Sequence, residues 1–127
     1  MRNRAAVGVR DESPKILKEK NENIKIIAVE PSESAVLSGE KAGPHKIEGI
    51  GAGFIPEILE VNLLDEIIKV TKENAYKYAN MLAKTEGVFA GISSGAALCG
   101  AVSLAKRDEN KDKNIVVLLP DSGDRYL

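Results

Sequence analysis

The sequence contains no tryptophan, and aromatic residues make up only 4% of its 127 residues. A surface that stacks nucleic-acid bases needs aromatic side chains, and a net charge of −1 gives no attraction to nucleic acid or to an anionic membrane. No apolar run approaches the length of a membrane span, and the N-terminus lacks the apolar centre of a signal peptide. We therefore expect a cytoplasmic protein with no nucleic-acid or membrane partner.

Cysteine and histidine are equally scarce, with one of each. The single Cys99 excludes an internal disulfide, and with His45 alone beside it there is no metal-ligand spacing, so no metal is expected. Cys99 lies in an Ala-rich helical pattern, which favours inert packing over a reactive thiol. His45 has no aspartate or cysteine at catalytic spacing, which favours a loop position over a general base.

What is present is a pattern of apolar runs separated by helical segments. Hydrophobic residues make up 43% and charged residues 29% of the chain, which is typical of one globular domain. Strands are predicted at "IKIIAVEP" (24–31), "EIIKV" (66–70) and "NIVVLLP" (114–120). Helices are predicted from Ser13 through "KILKEKN", from Thr71 to Gly87 and from about Ser94 to Arg107. A weak helical piece is also predicted near "SAVLSGEKA". This alternation predicts an α/β layered domain with a parallel sheet. Residues 1–12 show no period and are expected to be poorly ordered.

Three segments could carry a binding site. Gly49, Gly51 and Gly53 in "EGIGAGFIP" suit either a tight turn or close approach of the backbone to a ligand. In "GISSGAA", Ser93 and Ser94 open a helix, so one of them could be the N-cap while the other points into a pocket, or both could merely satisfy the helix end. "PDSGDRYL" (120–127), with Asp121, Ser122, Asp124 and Arg125, follows the last predicted strand, where parallel sheets gather ligands.

Taken together and in order, "HKIEGIGAGFIP", "EGVFAGISSGAA" and "NIVVLLPDSGDRYL" resemble cysteine synthase, also called O-acetylserine (thiol)-lyase. The resemblance extends from Ile16 or Leu17 to Leu127 and includes "LKEKNENIKIIAVEPSES". It implies part of the type II fold of pyridoxal-phosphate enzymes, which is similar to the β-subunit of tryptophan synthase. Residues 13–127 are assigned to this domain, and residues 1–12 are predicted to lie outside the family.

The resemblance assigns roles by position. Ser93 resembles the hydroxyl that binds the pyridine nitrogen of pyridoxal phosphate, where a neutral serine leaves the ring nitrogen unprotonated and suits β-replacement. Gly49, Ile50 and Gly51 resemble the loop on the substrate side, which receives O-acetylserine. In the family this loop also helps to bind the C-terminal tail of serine acetyltransferase, and a homodimer is a further partner to consider.

The departures from the family pattern predict an inactive chain. No lysine stands in the sequence context of the family's Schiff-base lysine, so no catalytic residue is assigned. The phosphate-binding loop should align with "AAVGVRDE" (5–12), where Asp11 and Glu12 would repel a phosphate. We therefore expect a truncated piece that does not bind the cofactor alone, with exposed apolar surface that promotes self-association. Two alternatives stay open: activity restored by a complementary fragment, or a protein that only docks the acetyltransferase tail.

Overall fold

The computed structural model describes residues 4–7, 13–55 and 59–126. This described part contains the strands β1 (Arg4–Val7), β2 (Lys25–Pro31), β3 (Glu66–Val70) and β4 (Asn114–Val117), and the helices α1 (Ser13–Lys20), α2 (Lys72–Glu86) and α3 (Ile92–Ala105). The strands form one parallel sheet in the order β3–β2–β1–β4. The predicted α/β architecture with a parallel sheet is confirmed.

Strand β1 corrects the expectation that residues 1–12 are poorly ordered. Its backbone pairs with β2 from Ala5↔Lys25 and with β4 from Arg4↔Asn114, so Arg4–Val7 lies in the interior of the sheet. The sequence "RAAV" has too little strand propensity and no alternation to indicate this, because alanine is depleted in strands. Residues 1–3 and 8–12 lie outside the described residues, and the assignment of 1–12 outside the family stays a prediction.

Local signals placed most of the other elements well, although β4 ends at Val117 and not at Pro120 as predicted. Strand β3 has the predicted bounds, and α2 is capped by Thr71, whose Oγ1 accepts a hydrogen bond from the N–H of Asn74 at 3.2 Å. Gly87 ends α2 in the left-handed conformation, with φ of 68°. The weak helical piece near residues 34–42 is wrong: only a short 3-10 turn at Ser32–Ser34 is found there. Helix α3 begins two residues earlier than predicted, at Ile92.

Helix α3 is the central element of the core. It packs on the sheet through Ala101 and Leu104, against Ile27, and on α2 through a second cluster that includes Ala96 and Cys99. A Cβ added to Gly95 would lie 2.1 Å from the carbonyl oxygen of Ala75, so α2 and α3 touch through their backbones. Cys99 is buried, as predicted, and its burial raises the pKa of the thiol. These contacts fix the position of the N-terminal end of α3.

The opposite face of the sheet is covered only in part. On β2, the carboxylate of buried Glu30 accepts hydrogen bonds from the N–H groups of Leu37 and Ser38 at 2.8 and 2.9 Å, which holds the turn after β2 on this side. Farther along, Val116 of β4 is 59% exposed and Leu118 is 51% exposed. Apolar surface therefore faces solvent beside β4. None of the helices in the described ranges is long and apolar enough to cross a membrane.

Candidate functional site

The candidate site lies where strands β2 and β3 end and helix α3 begins. Val70, the last residue of β3, shares a buried cluster with Ile47 and with Ile92, the first residue of α3. Ile50 packs against the same cluster. The carboxyl ends of parallel strands are the usual location of ligand sites in α/β sheets. Two of the predicted segments, the glycine loop (residues 49–53) and the start of α3, are therefore brought together here.

His45 holds the glycine loop in place. One ring nitrogen, Nε2, lies 2.8 Å from the carbonyl oxygen of Gly51, and the other, Nδ1, accepts a hydrogen bond from the N–H of Ile47 at 3.2 Å. Since Nδ1 is the acceptor, the proton is on Nε2, which donates to Gly51. His45 lies in a loop, as predicted, but its role as the residue that organises this loop was missed. Only its spacing of six residues from Gly51 could have suggested it.

The glycines of this loop adopt backbone conformations that other residues avoid. Gly49, Gly51 and Gly53 have φ angles of 90°, 64° and 84°. At Gly51 a Cβ would lie only 2.6 Å from Cγ of Pro31 and 2.7 Å from Nε2 of His45. The loop is thus a tightly folded turn, which was one of the two alternatives considered for this sequence.

Neither serine is the N-cap of α3, which corrects that prediction. The N-cap is Gly91, which offers no side-chain hydrogen bond. Instead, the carboxylate of Asp121 accepts hydrogen bonds from the N–H of Ser94 at 3.0 Å and from that of Ser93 at 3.4 Å. Asp121 therefore caps α3 from a loop 27 residues farther along the chain. Sequence reasoning placed Asp121 in a candidate site loop but missed this function, because no local pattern links it to α3.

The two serines of "GISSGAA" differ in how their hydroxyls are satisfied. Ser94 is 0% exposed, and its Oγ donates to the carboxylate of Asp121 and accepts from the N–H of Asp121 at 3.3 Å. Ser93 is 3% exposed, and no hydrogen bond of its hydroxyl is found within the described part of the chain. Because every fully buried side-chain polar atom described there has a partner, this hydroxyl lies at the surface of the site, where solvent reaches it. A nearly buried hydroxyl without a protein partner is available to a ligand. The hydroxyl of Ser94 is thus used within the protein, whereas that of Ser93 is left open.

Backbone hydrogen bonds join the loop after β4 to the loop before α3. Ala90 and Ser122 form an isolated antiparallel bridge, and the N–H of Gly91 donates to the carbonyl of Asp121 at 3.1 Å. The N–H of Gly123 donates to the carbonyl of Phe89, also at 3.1 Å. The predicted site loop "PDSGDRYL" therefore contributes its first residues to the site. The side chain of Arg125 lies outside the described residues.

This fold and this site define a class of enzyme. The family model described as pyridoxal-phosphate dependent enzyme matches residues 15–121. The chain belongs to that family, and the predicted type II fold is confirmed by its solved neighbours. The predicted cofactor of the family, pyridoxal phosphate, is confirmed by the same match.

Within the class, the chain is similar to cysteine synthases. The chain is 50% identical over 113 residues to the cysteine synthase of Staphylococcus aureus, covering 89% of this chain and 36% of that protein. It superimposes on O-acetyl serine sulfhydrylase isoform 3 from Entamoeba histolytica with a TM-score of 0.94 and 41% identity, covering 99% of this chain and 39% of the other.

A third relative is a hydrogen sulfide-producing enzyme from Fusobacterium nucleatum. It superimposes with a TM-score of 0.91 and 36% identity, covering 99% of this chain and 45% of that enzyme. The chain therefore spans well under half the length of the relatives that it matches. The residues of the site fit the family cofactor in one respect: a ring nitrogen could accept the hydrogen bond that the Ser93 hydroxyl does not make within the described protein.

Proposed function

We propose that this chain forms the ring-nitrogen side and the substrate loop of a cysteine synthase site, which makes L-cysteine from O-acetyl-L-serine and sulfide. The observation that carries the proposal is the contrast between Ser93 and Ser94. Of two adjacent buried serines, one is fully hydrogen-bonded and the other keeps its hydroxyl unused. Similarity to the cysteine synthase of Staphylococcus aureus supports the same assignment.

Pyridoxal phosphate, when bound, supplies an electron sink for replacement of the group on the β-carbon of the substrate. Ser93 would hold the pyridine nitrogen with a neutral hydroxyl. A serine hydroxyl is not acidic enough to transfer its proton to the ring, so the nitrogen stays unprotonated.

The glycine loop would line the substrate side. Gly49 and Gly51 have no side chains that would keep a ligand from the backbone, and Ile50 packs against the cluster that also contains Ile92 at the start of α3. Because His45 fixes the carbonyl of Gly51, the loop is organised before a substrate arrives. Such preorganisation lowers the cost of ordering the site around a small substrate.

We further propose that this polypeptide does not turn over O-acetylserine by itself. A lysine that condenses with an aldehyde at neutral pH is typically desolvated, which lowers its pKa. Every lysine of the chain lies in the described ranges, and none is buried. The pKa of Lys69 is raised by its hydrogen bond to Glu40, which is the wrong direction for this chemistry.

A complementation experiment tests both statements. The chain is incubated with pyridoxal phosphate, alone and with a lysine-bearing fragment of a cysteine synthase that precedes the matched region, and cysteine formation is assayed. Separate samples are reduced with borohydride to trap any covalent adduct. We expect no stoichiometric covalent adduct and no cysteine formation from the chain alone, and sulfide-dependent cysteine formation from the mixture. In the mixture, Ser93→Ala should lower the rate, whereas the control Ser103→Ala, on the exposed surface of α3, should not.

Covalent attachment of the cofactor to a lysine of this chain, with turnover of O-acetylserine, would contradict the proposed inactivity. An equal rate for Ser93→Ala and the unchanged chain in the mixture would contradict the role of Ser93. Failure of the mixture to form cysteine at all would count against the chain as a working part of such a site.

A second candidate function is docking of the C-terminal tail of serine acetyltransferase. Phe54, which is 65% exposed, and Ile55 lie directly after the glycine loop and offer apolar contact to an extended peptide. Calorimetric titration with that tail peptide tests this function. Heat of binding that is lost in Phe54→Ser would support docking, and the absence of heat would exclude it.

A further inference from the structure

We infer that Asp121 determines which end of a bound ligand lies against the start of helix α3. Its carboxylate occupies the place at the start of α3 where an anion would bind, and it leaves the Ser93 hydroxyl as the group offered to the ligand. The identity of the ligand as pyridoxal phosphate rests on the proposed function, whereas the claim about Asp121 concerns this chain alone.

The geometry at the helix end is that of an occupied anion site. The first N–H groups of a helix have no partner within the helix, and together with the helix dipole they attract phosphate and carboxylate groups. In α3 the Oδ1 atom of Asp121 lies 3.0 Å from the N of Ser94, and its Oδ2 atom lies 3.4 Å from the N of Ser93. These are the amides that would otherwise bind a phosphate.

The carboxylate is also held in position by contacts other than those amides. The Ser94 hydroxyl binds it directly, and the main chain of Asp121 is fixed by the N–H of Gly91. The neighbouring bridge between Ala90 and Ser122 restrains the same loop. A side chain fixed by several independent contacts cannot easily move aside for an incoming anion.

A ligand with a neutral ring nitrogen at one end and a phosphate at the other would therefore enter in one orientation. The negative charge of Asp121 next to Ser93 disfavours the phosphate end. The hydroxyl of Ser93, for which no hydrogen bond is found within the described part of the chain, can then donate to the nitrogen of the other end. Asp121 is thus a positioning residue, because it acts through α3 and through charge rather than by touching the ring.

The test is a titration with inorganic phosphate at constant ionic strength, followed by the NMR shifts of the backbone amides of Ser93 and Ser94. We expect no shift in the unchanged chain. In Asp121→Asn and Asp121→Ala the shifts should appear, with phosphate binding about tenfold tighter or more, because the competing charge is gone. The control Asp124→Asn removes the same charge from an exposed position in the same loop and should behave like the unchanged chain.

Saturable phosphate shifts at Ser93 and Ser94 in the unchanged chain would overturn the inference, and so would equal binding by Asp121→Asn. If both variants fail to fold, amide exchange in the unchanged chain decides. Slow exchange at Ser93 and Ser94 supports the cap by Asp121, and exchange at the rate of free amides excludes it. None of these measurements uses pyridoxal phosphate, so a failure of cofactor binding would bear on the proposed function and not on this inference.

Discussion

The imidazole of His45 and the carbonyl of Gly51 are joined by a hydrogen bond of 2.8 Å, which closes the glycine loop across six residues. The ring nitrogen in this bond would also be 2.7 Å from a Cβ at position 51. The ring of His45 can therefore reach the carbonyl only because residue 51 has no side chain. The loop depends on this pair for its shape.

Replacement of Gly51 by alanine should destabilise the protein more than a left-handed glycine normally does. The φ of +64° alone costs about 1–2 kcal/mol for an alanine, and the close contacts with Pro31 and His45 should add roughly 1–3 kcal/mol. Urea unfolding measures the loss. The matched control is Gly39→Ala, at φ of +86° with no atom within 4 Å of the added Cβ, where only the backbone cost applies. Equal losses for the two variants would show that the crowding at Gly51 is absent.

Gly95→Ala should also destabilise the protein, although alanine favours helix over glycine by about 1 kcal/mol. The added Cβ would lie 2.1 Å from the carbonyl oxygen of Ala75, so α2 and α3 must separate. We expect a net loss of roughly 1–3 kcal/mol in thermal or urea unfolding. Ser103→Ala, on the exposed part of the same helix, should change stability little. A stabilised Gly95→Ala would contradict the backbone contact between the helices.

The ion pair between Glu66 and Arg107 should make stability depend on pH in the acid range. Arg107 donates two hydrogen bonds of 2.6 and 2.8 Å to this carboxylate, which lowers the pKa of Glu66. A carboxyl whose pKa is lower in the folded state stabilises the protein above its unfolded pKa, and this contribution is lost as the pH falls through the folded pKa. Because both side chains are partly exposed, the contribution should be at most about 1 kcal/mol.

Glu66→Gln should therefore be less stable than the unchanged protein at pH 7, and the difference should vanish at low pH. Urea midpoints measured across the acid range provide the check. Glu109→Gln is the control, since Glu109 is 3.8 Å from Arg107 and largely exposed, and it should have little effect at any pH. A difference for Glu66→Gln that persists unchanged at low pH would argue against the ion pair as its source.

The apolar side chains beside β4 should cause the isolated chain to self-associate. Exposed apolar side chains on an edge strand favour edge-to-edge contact, and β4 lies at one end of the described sheet. Sedimentation velocity should show association that increases with concentration, and Val116→Lys combined with Leu118→Lys should shift the protein towards monomer. Tyr76→Lys, an exposed position on α2, should not. A monomeric unchanged chain would refute the expectation.

Elements with local signals could be predicted from the sequence, and contacts between distant residues could not. Thr71 and Gly87 delimit α2 because a side-chain cap and a left-handed glycine act within a few residues of the helix. The cap of α3 involves Asp121, which comes after a whole strand, and nothing near Ser93 indicates it. The resemblance pointed to Ser93 by its position, and the hydrogen bonds show how its hydroxyl differs from that of Ser94.

Strand β1 also could not be predicted from its local sequence. Its partners Lys25 and Asn114 lie on two different strands, and its own residues have weak strand propensity. Backbone pairing with a strand on each side, and not the local sequence, therefore makes residues 4–7 a strand.

The interior place of β1 has a consequence for how the molecule is made. Strand β1 is synthesised well before β4, whose Asn114 pairs with Arg4. Until β4 has been made, that side of β1 lacks the strand with which it pairs in the folded protein. Contacts between residues so distant in sequence also form slowly during refolding, so the pairing of β1 with β4 should limit the folding rate.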